Sequence, residues 1–358
     1  MSVLGHLINI MNYKVLDLFC GGGGGAMGVR SSLLKWGIEP EFVGVEHDPK
    51  IAYVYSQNVG KVVIRDLRKL EAIPRVKMVI ATPPCQQWSL ARTKTTSRED
   101  GEIGLLIPRV LERAKPKYFI MENVEGYKNS QSFRYILDSL TELGYHWNYT
   151  IACCGSFIPQ SRKRLFLWAC KSKLRPGSPF HSSSRLSLGQ VGFLQESSLA
   201  SNSKNYGWGR CKWFRKELRK CPSSNVVPRQ RKAIQDWLVL KEYEGLKCSN
   251  NFGTELLIER GAMRSDRKPT IRSAKQPCFT LTVSKCKTPT NINYVQTYGL
   301  NDSRKWEVKT LSIKALAALQ GWDKNYRWTG EFSIDGSIIG GAVPPRAFEA
   351  ITEFLCSY

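Results

Sequence analysis

Acidic residues are scarce: 30 Asp and Glu stand against 53 Lys and Arg, a formal net charge of +23 over 358 residues. Such an excess repels itself in a compact chain and suits a polyanionic partner, nucleic acid above all, although a generally basic soluble protein would carry it too. Long apolar runs are missing. None approaches the ~20 residues that a membrane-spanning helix needs, so no membrane partner is expected. The opening Met1–Asn12 has no basic start, long apolar stretch and small-residue cleavage site, so an export signal is not expected. Eleven cysteines are present, but the count is odd and no C-x-x-C pair occurs. Several, such as Cys20, Cys170 and Cys278, sit inside apolar runs. This argues against a disulfide framework or a zinc site, and for a reduced, cytoplasmic protein without metal. No internal repeat and no long low-complexity tract is found. A hydrophobic content of 42% is enough for a substantial core.

The first half alternates β-rich runs with amphipathic stretches. The strand candidates are Lys14–Cys20, Glu41–Glu46, Lys61–Arg65, Val76–Ala81, Lys117–Met121, Tyr149–Cys153 and Arg164–Cys170. The helix candidates are Ala26–Trp36, Pro49–Asn58, Ile103–Ala114 and Gln131–Leu143. Nearly continuous apolar strands between helices predict an α/β fold, a doubly wound and mostly parallel sheet covered on both faces. The rhythm stops after Lys171, where Arg175–Pro179 and Ser182–Ser184 read as linker. Ser172–Glu307 holds 25 Lys and Arg against 10 Asp and Glu, so the positive charge is concentrated there. An apolar strand-turn-helix pattern resumes near Gly336. The expected division is 1–175 completed by 336–358, with a smaller basic domain over 176–335.

Four motifs fall at expected strand ends. Asp17-Leu-Phe-Cys-Gly21-Gly-Gly-Gly-Gly25 leads from a strand into a helix, where glycine permits a tight turn and close approach of a ligand. Glu46, about 20 residues on, can bond ribose hydroxyls, and Asp66 follows the third strand, where it can face an adenine. A Gly-rich turn alone fits many nucleotides; with two acidic strand ends it points to an adenosine-containing cofactor. No G-K-[ST] follows, so it is not a phosphate P-loop. Next comes Thr82-Pro-Pro-Cys85-Gln-Gln-Trp-Ser89. Two prolines stiffen the approach to a thiol in a polar loop at the ligand edge, although a lone cysteine is more commonly structural. Met121-Glu-Asn-Val124 ends the fifth strand with a carboxylate that is either functional or merely solvated. In Pro159-Gln-Ser-Arg-Lys-Arg164, strand alternation puts Arg162 and Arg164 on one face, to bind a phosphate or base oxygen or to face solvent.

In order and separation these blocks resemble the cytosine-C5 DNA methyltransferases. Leu311-Ser-Ile-Lys-Ala-Leu-Ala-Ala-Leu-Gln-Gly-Trp322 and Gly340-Gly-Ala-Val-Pro-Pro345 complete the pattern, which covers roughly Lys14–Lys171 and Lys309–Leu355. The resemblance implies a Rossmann-like fold that uses S-adenosyl-L-methionine, with the basic segment as target-recognition domain. It implies catalytic roles for Cys85, Glu122, Arg162 and Arg164: Cys85 as nucleophile, Glu122 at the base N3 and exocyclic amine, Arg164 at the O2 oxygen and Arg162 orienting the loop. It places the cofactor among Asp17, Phe19, Gly21, Gly23, Gly24, Glu46, Asp66, Pro84, Gly341 and Val343, with Phe19 against adenosine or sulfonium. Gln86, Ser89, Arg92, Asn123 and Gln160 fall at the substrate. It also implies base flipping by a closing loop at Gln86–Glu102, double-stranded DNA as partner, a separately acting restriction endonuclease and a monomer.

Departures are visible. Trp88 replaces the usual Phe, Ala315 a common Glu and Gly341 a common Asn, the last removing an amide from the cofactor region. The densest basic stretch, Lys204–Lys232, carries ten Lys and Arg with one acid, Glu217. Tyr206, Trp208, Trp213 and Phe214 are interleaved there, as phosphate and base contacts require, or as the core of a small domain does. A branch of the family acts on transfer RNA and has a Cys-Phe-Thr tripeptide; Cys278-Phe-Thr280 matches it, but in a context that resembles the stretch before the Leu-Gln-Gly-Trp block. A regulator on the same scaffold should have lost the nucleophile or the glutamate, and Cys85 and Glu122 are both present.

Overall fold

The computed structural model describes residues 13–85, 103–156, 158–180, 218–220, 230, 232–236, 254–259, 270–273, 278–297 and 306–356. The chain divides into two compact units, 1–154 with 163–186 and 342–358, and 155–162 with 187–341. The helix over 332–341 packs within the second unit. A short excursion at 155–162 also belongs to the second unit.

The first unit runs β1 (Lys14–Leu18), α1 (Gly24–Leu34), β2 (Glu41–Glu46), α2 (Pro49–Asn58), β3 (Lys61–Ile64), β4 (Met78–Ala81), α3 (Ile107–Ala114), β5 (Tyr118–Asn123), α4 (Gln131–Glu142), β6 (His146–Cys153) and β7 (Lys163–Cys170). Its seven strands lie in the order β3-β2-β1-β4-β5-β7-β6. β3, β2, β1, β4 and β5 are parallel, and β7 is antiparallel to both of its neighbours. Local chemistry sets the helix starts. Asp48 caps α2 by accepting from the amides of Lys50 and Ile51, with Pro49 at the first helical position, and Ser130 caps α4 through the amide of Phe133.

Strand alternation divides the core. Val79, Ala81, Phe119 and Met121 face one way and pack with Ile107, Val110 and Leu111 of α3 and Ile136 and Leu140 of α4. Each of the larger of these buried side chains contributes about 1.5–3 kcal/mol.

The second unit has a five-stranded sheet in the order β10-β9-β11-β12-β8, from β8 (Leu218–Lys220), β9 (Thr254–Glu259), β10 (Ile271–Ser273), β11 (Ile292–Thr297) and β12 (Glu307–Leu311). All its pairings are antiparallel. α5 (Val283–Cys286), α6 (Ile313–Gln320) and α7 (Phe332–Gly341) accompany it. The chain then returns to the first unit through α8 (Pro345–Cys356), which packs on α1. A Cβ at Gly25 would lie 3.1 Å from Phe348 of α8 and 3.6 Å from Ile80 of β4, and Phe354 meets Trp168 edge-on at 6.1 Å, so α1 and α8 cover the other face of the large sheet. No helix among the described residues is long and apolar enough to cross a membrane.

Candidate active site at the carboxyl edge of the large sheet

The turn after β1 is held in a left-handed conformation at Phe19, Gly21 and Gly23, with φ of 57°, 52° and 84°. A Cβ at Gly23 would lie 2.4 Å from Val59, so the turn needs glycine for space as well as for φ. Gly24 begins α1 and is buried. Glu46 locks this turn to β2. Its Oε2 accepts from the Gly21 amide at 3.0 Å, and its Oε1 accepts from the amides of His47 and Asp48 at 2.9 and 3.1 Å. The imidazole Nδ1 of His47 also lies 2.9 Å from Oε1. Beneath the turn, the buried Asp17 carboxyl faces the Tyr55 hydroxyl, and burial pushes its pKa well above the ordinary 3.8. Asp66 stands two residues beyond β3, tied to Arg68 at 2.6 Å, whose guanidinium and amide hold its carboxyl below the usual range.

The nucleophile candidate follows β4. Thr82 Oγ1 donates to the Phe19 carbonyl at 2.9 Å, fixing the start of the Pro-Pro-Cys loop to the glycine turn. Asn123, at the end of β5, donates from Nδ2 to the Pro83 carbonyl at 3.0 Å and accepts from the Val124 amide at 2.8 Å. Both ends of this buried amide are engaged within the protein, so Asn123 braces the loop rather than presenting its amide outward. Pro84 and Cys85 are half-buried. Glu122, one residue before Asn123, is 6% exposed. Its Oε1 lies 3.0 Å from Nε of Arg164 on β7, a charge pair in which both side chains are shielded from water. Tyr127 lies close by, and burial raises its hydroxyl to about 12.

The arginines separate. β7 begins at Lys163, so Arg162 precedes the strand and does not share a face of it with Arg164. Arg162 is 1% exposed and donates from Nη1 to the Leu281 carbonyl at 2.8 Å within the second unit. Gln160 is buried there too, donating to Gln320 Oε1 at 2.6 Å and accepting from the Leu281 amide at 2.9 Å. The Cys-Phe-Thr tripeptide is part of the same junction: Cys278 is fully buried and exchanges backbone bonds with Pro159 and Ser161. Gly341 ends α7 in the second unit, with room for a side chain, and Val343 is buried in the first. Ala315 is fully buried in α6. Gln86, Ser89, Arg92 and the rest of Gln86–Glu102 lie outside the described residues, as does most of Lys204–Lys232. The sequence carries no signal for the bracing by Thr82 or for the place of Tyr55 beneath the turn; in a single sequence Tyr55 looks like any apolar position of an amphipathic helix.

A family model for C-5 cytosine-specific DNA methylases matches residues 13–356. The chain belongs to this family. The C-5 methylase resemblance extends to individual relatives. The Type II methylase M.HgiDII of Herpetosiphon aurantiacus is 30% identical over 170 residues, 44% of this chain and 47% of that protein. The chain thus spans about half the length of that relative. The Type II methyltransferase M.FnuDI of Fusobacterium nucleatum is 26% identical over 92% of this chain and 90% of its own. Among solved structures, the S. pombe Dnmt2 methyltransferase aligns with a TM-score of 0.63 at 15% identity, over 97% of this chain and 98% of that one, a likeness of fold. The C-5 methylase family and fold support S-adenosyl-L-methionine as the cofactor.

Proposed function

We propose that this protein methylates carbon 5 of a cytosine in a specific sequence of double-stranded DNA, through a covalent bond between Cys85 and C6. The observation that carries the reading is the bracing of the Cys85 loop by Asn123, the neighbour of the Glu122 that pairs with Arg164. Thiol, carboxylate and guanidinium are thereby presented from adjacent strands β4, β5 and β7.

C5 of cytosine is too weak a nucleophile to be alkylated directly. Addition of the Cys85 thiolate to C6 breaks the ring's aromaticity and makes C5 enamine-like. Glu122 holds the N3 edge and, in its protonated form, supplies a proton there, so that the charge developing in the ring is neutralised. Arg164 keeps Glu122 oriented through its Nε and directs its remaining donors to O2. After methylation, loss of the C5 proton to a base or water expels the Cys85 thiolate, and the N3 proton returns to Glu122, which restores the ring. The target carbon is stacked within the duplex, so the base is flipped out before it meets Cys85.

The cofactor fits the residues present. The left-handed turn leaves open space at Gly21, where an added Cβ would meet nothing within 4 Å, and Glu46 is fixed beside it by backbone amides. Gly21, Gly23, Phe19, Glu46 and Asp66 would hold the adenosine part. When bound, S-adenosyl-L-methionine supplies a methyl group on a sulfonium that leaves as a neutral thioether. The Type II names of the relatives favour a partnership with a separately acting restriction endonuclease.

The test is DNA in which cytosine is replaced by 5-fluorocytosine. Fluorine cannot leave as a cation, so elimination stalls and a denaturation-resistant complex forms in the presence of the cofactor. Cys85→Ser should form none and should not methylate DNA, while still binding it. Absence of the complex with wild-type protein that does methylate ordinary DNA would overturn the adduct. Methylation of transfer RNA in preference to duplex would overturn the substrate.

A further inference from the structure

The amino edge of the large sheet carries a row of lysines. The Lys77 amide donates to the Lys14 carbonyl at 2.9 Å, the Lys117 amide to the Lys77 carbonyl at 2.9 Å, and the Lys171 amide to the Lys117 carbonyl at 3.1 Å. These bonds extend the pairing of Val15 with Met78, Met78 with Tyr118 and Tyr118 with Cys170 by one residue. Four lysines therefore share one register line across β1, β4, β5 and β7. Adjacent strands are about 4.8 Å apart, so the row is about 14 Å long. Like charges directly opposite each other destabilise a sheet.

Compensation is slight. Lys14 lies 3.9 Å from Glu41, its register partner on β2, which is shared with Lys61 at 3.1 Å. Lys77 makes no ion pair among the described residues. Lys117 rests over the Tyr118 ring at 5.0 Å and Lys171 over the Tyr145 ring at 3.9 Å, contacts that leave the charge uncancelled. Arg75, Lys115 and Lys173 add exposed positive charge close by in sequence.

We propose that this lysine row binds the phosphate backbone of a second segment of duplex DNA, away from the cytosine being methylated. The inference rests on DNA being the substrate. Along β5, Lys117 and Glu122 are five residues apart, about 17 Å at 3.3 Å per residue, and they stand at opposite ends of the strand. The chemistry and the row therefore occupy opposite edges of the sheet and take different stretches of duplex. One strand of duplex carries about four phosphates in 14 Å of axis, a match to four lysines.

The test uses the full chain carrying Lys77→Gln, Lys117→Gln and Lys171→Gln together. Binding to a long non-cognate duplex is followed against salt concentration. The slope of log affinity on log salt should shrink by about 2.7, three phosphate contacts at about 0.9 each. The variant should melt no lower than wild type, since it relieves repulsion within the sheet. An unchanged slope overturns the proposal, and so does a lower melting temperature, which would make the row a stabilising element. An unchanged slope with lost binding to phosphatidylglycerol vesicles would make it a membrane contact instead. Binding, and not turnover, is read. A wild-type chain that shows the slope change against this variant yet never methylates DNA would refute the catalytic reading and leave the row standing.

Discussion

Replacing Asn123 by alanine separates a brace from a base contact. The substitution removes two hydrogen bonds, to the Pro83 carbonyl at 3.0 Å and from the Val124 amide at 2.8 Å. The Pro83 carbonyl is buried and would be left without its side-chain donor, a loss of about 1–3 kcal/mol; the Val124 amide is partly exposed, can recruit water, and adds a share at the low end of that range. The total destabilisation is about 2–4 kcal/mol, confined to the loop and the end of β5. Freed from β5, Cys85 loses the fixed approach to C6 that the proposed mechanism requires. A displacement of about 1 Å at a reacting atom slows turnover by about 100-fold. Methyl incorporation at saturating DNA and cofactor should therefore fall by about 10- to 100-fold, with KM for DNA nearly unchanged. Asn123→Asp should be worse than alanine, because it places a carboxylate against the Pro83 carbonyl oxygen in a buried site. A variant with near-normal turnover and a tenfold higher KM for DNA would refute the bracing role and return Asn123 to the substrate.

Two further perturbations test the scaffold. Gly28→Ala should destabilise the packing of α1 on α8 severely, because the added Cβ would lie 2.0 Å from the Pro345 carbonyl oxygen and 2.9 Å from the Glu349 amide, both backbone atoms that cannot swing aside; a denaturation midpoint equal to wild type would refute that contact. Asp17→Asn should be at least as stable as wild type at pH 7. The folded pKa of Asp17 is raised above 3.8, so between 3.8 and that higher value the unfolded chain ionises while the folded one keeps its proton, and stability falls as pH rises. Asparagine has no such slope, and equal pH dependence of the two proteins between pH 4 and 7 would contradict the burial argument.

The sequence shows the large sheet clearly where local pattern decides it. The reading over Glu41–Glu46 and Pro49–Asn58 matches β2 and α2 at both ends, because a strand of apolar residues runs into an Asp-Pro helix start. The antiparallel placement of β7 also has a sequence signal: only nine residues separate Cys153 from Lys163, fewer than a parallel crossover needs. What the sequence hides is long-range bonding. Strand alternation puts Arg162 and Arg164 on one face, but the strand begins at Lys163; Gln160 and Arg162 are captured by Leu281, about 120 residues away, and only Arg164 lies on β7. The motif containing Asn123 is plain in the sequence; that its amide is engaged by Pro83 is not.

The same sheet edge presents two cysteines next to functional motifs, and their surroundings give them different chemistry. Cys20 is 7% exposed, its amide is bonded to Val45, and a Cβ at Gly44 would lie 2.7 Å from its sulfur. Burial, with Asp17 and Glu46 nearby, pushes its thiol pKa well up, so it remains protonated and packs as a small apolar group. Cys85 stands on a loop fixed at Thr82 and Pro83, is half-exposed, and has Glu122 and Arg164 on the neighbouring strands. A nucleophile must be accessible, must reach the thiolate state and must be held in place. Cys20 satisfies the last condition alone. Cys85 is accessible and held, so under the proposed mechanism it is the thiol that 5-fluorocytosine would trap.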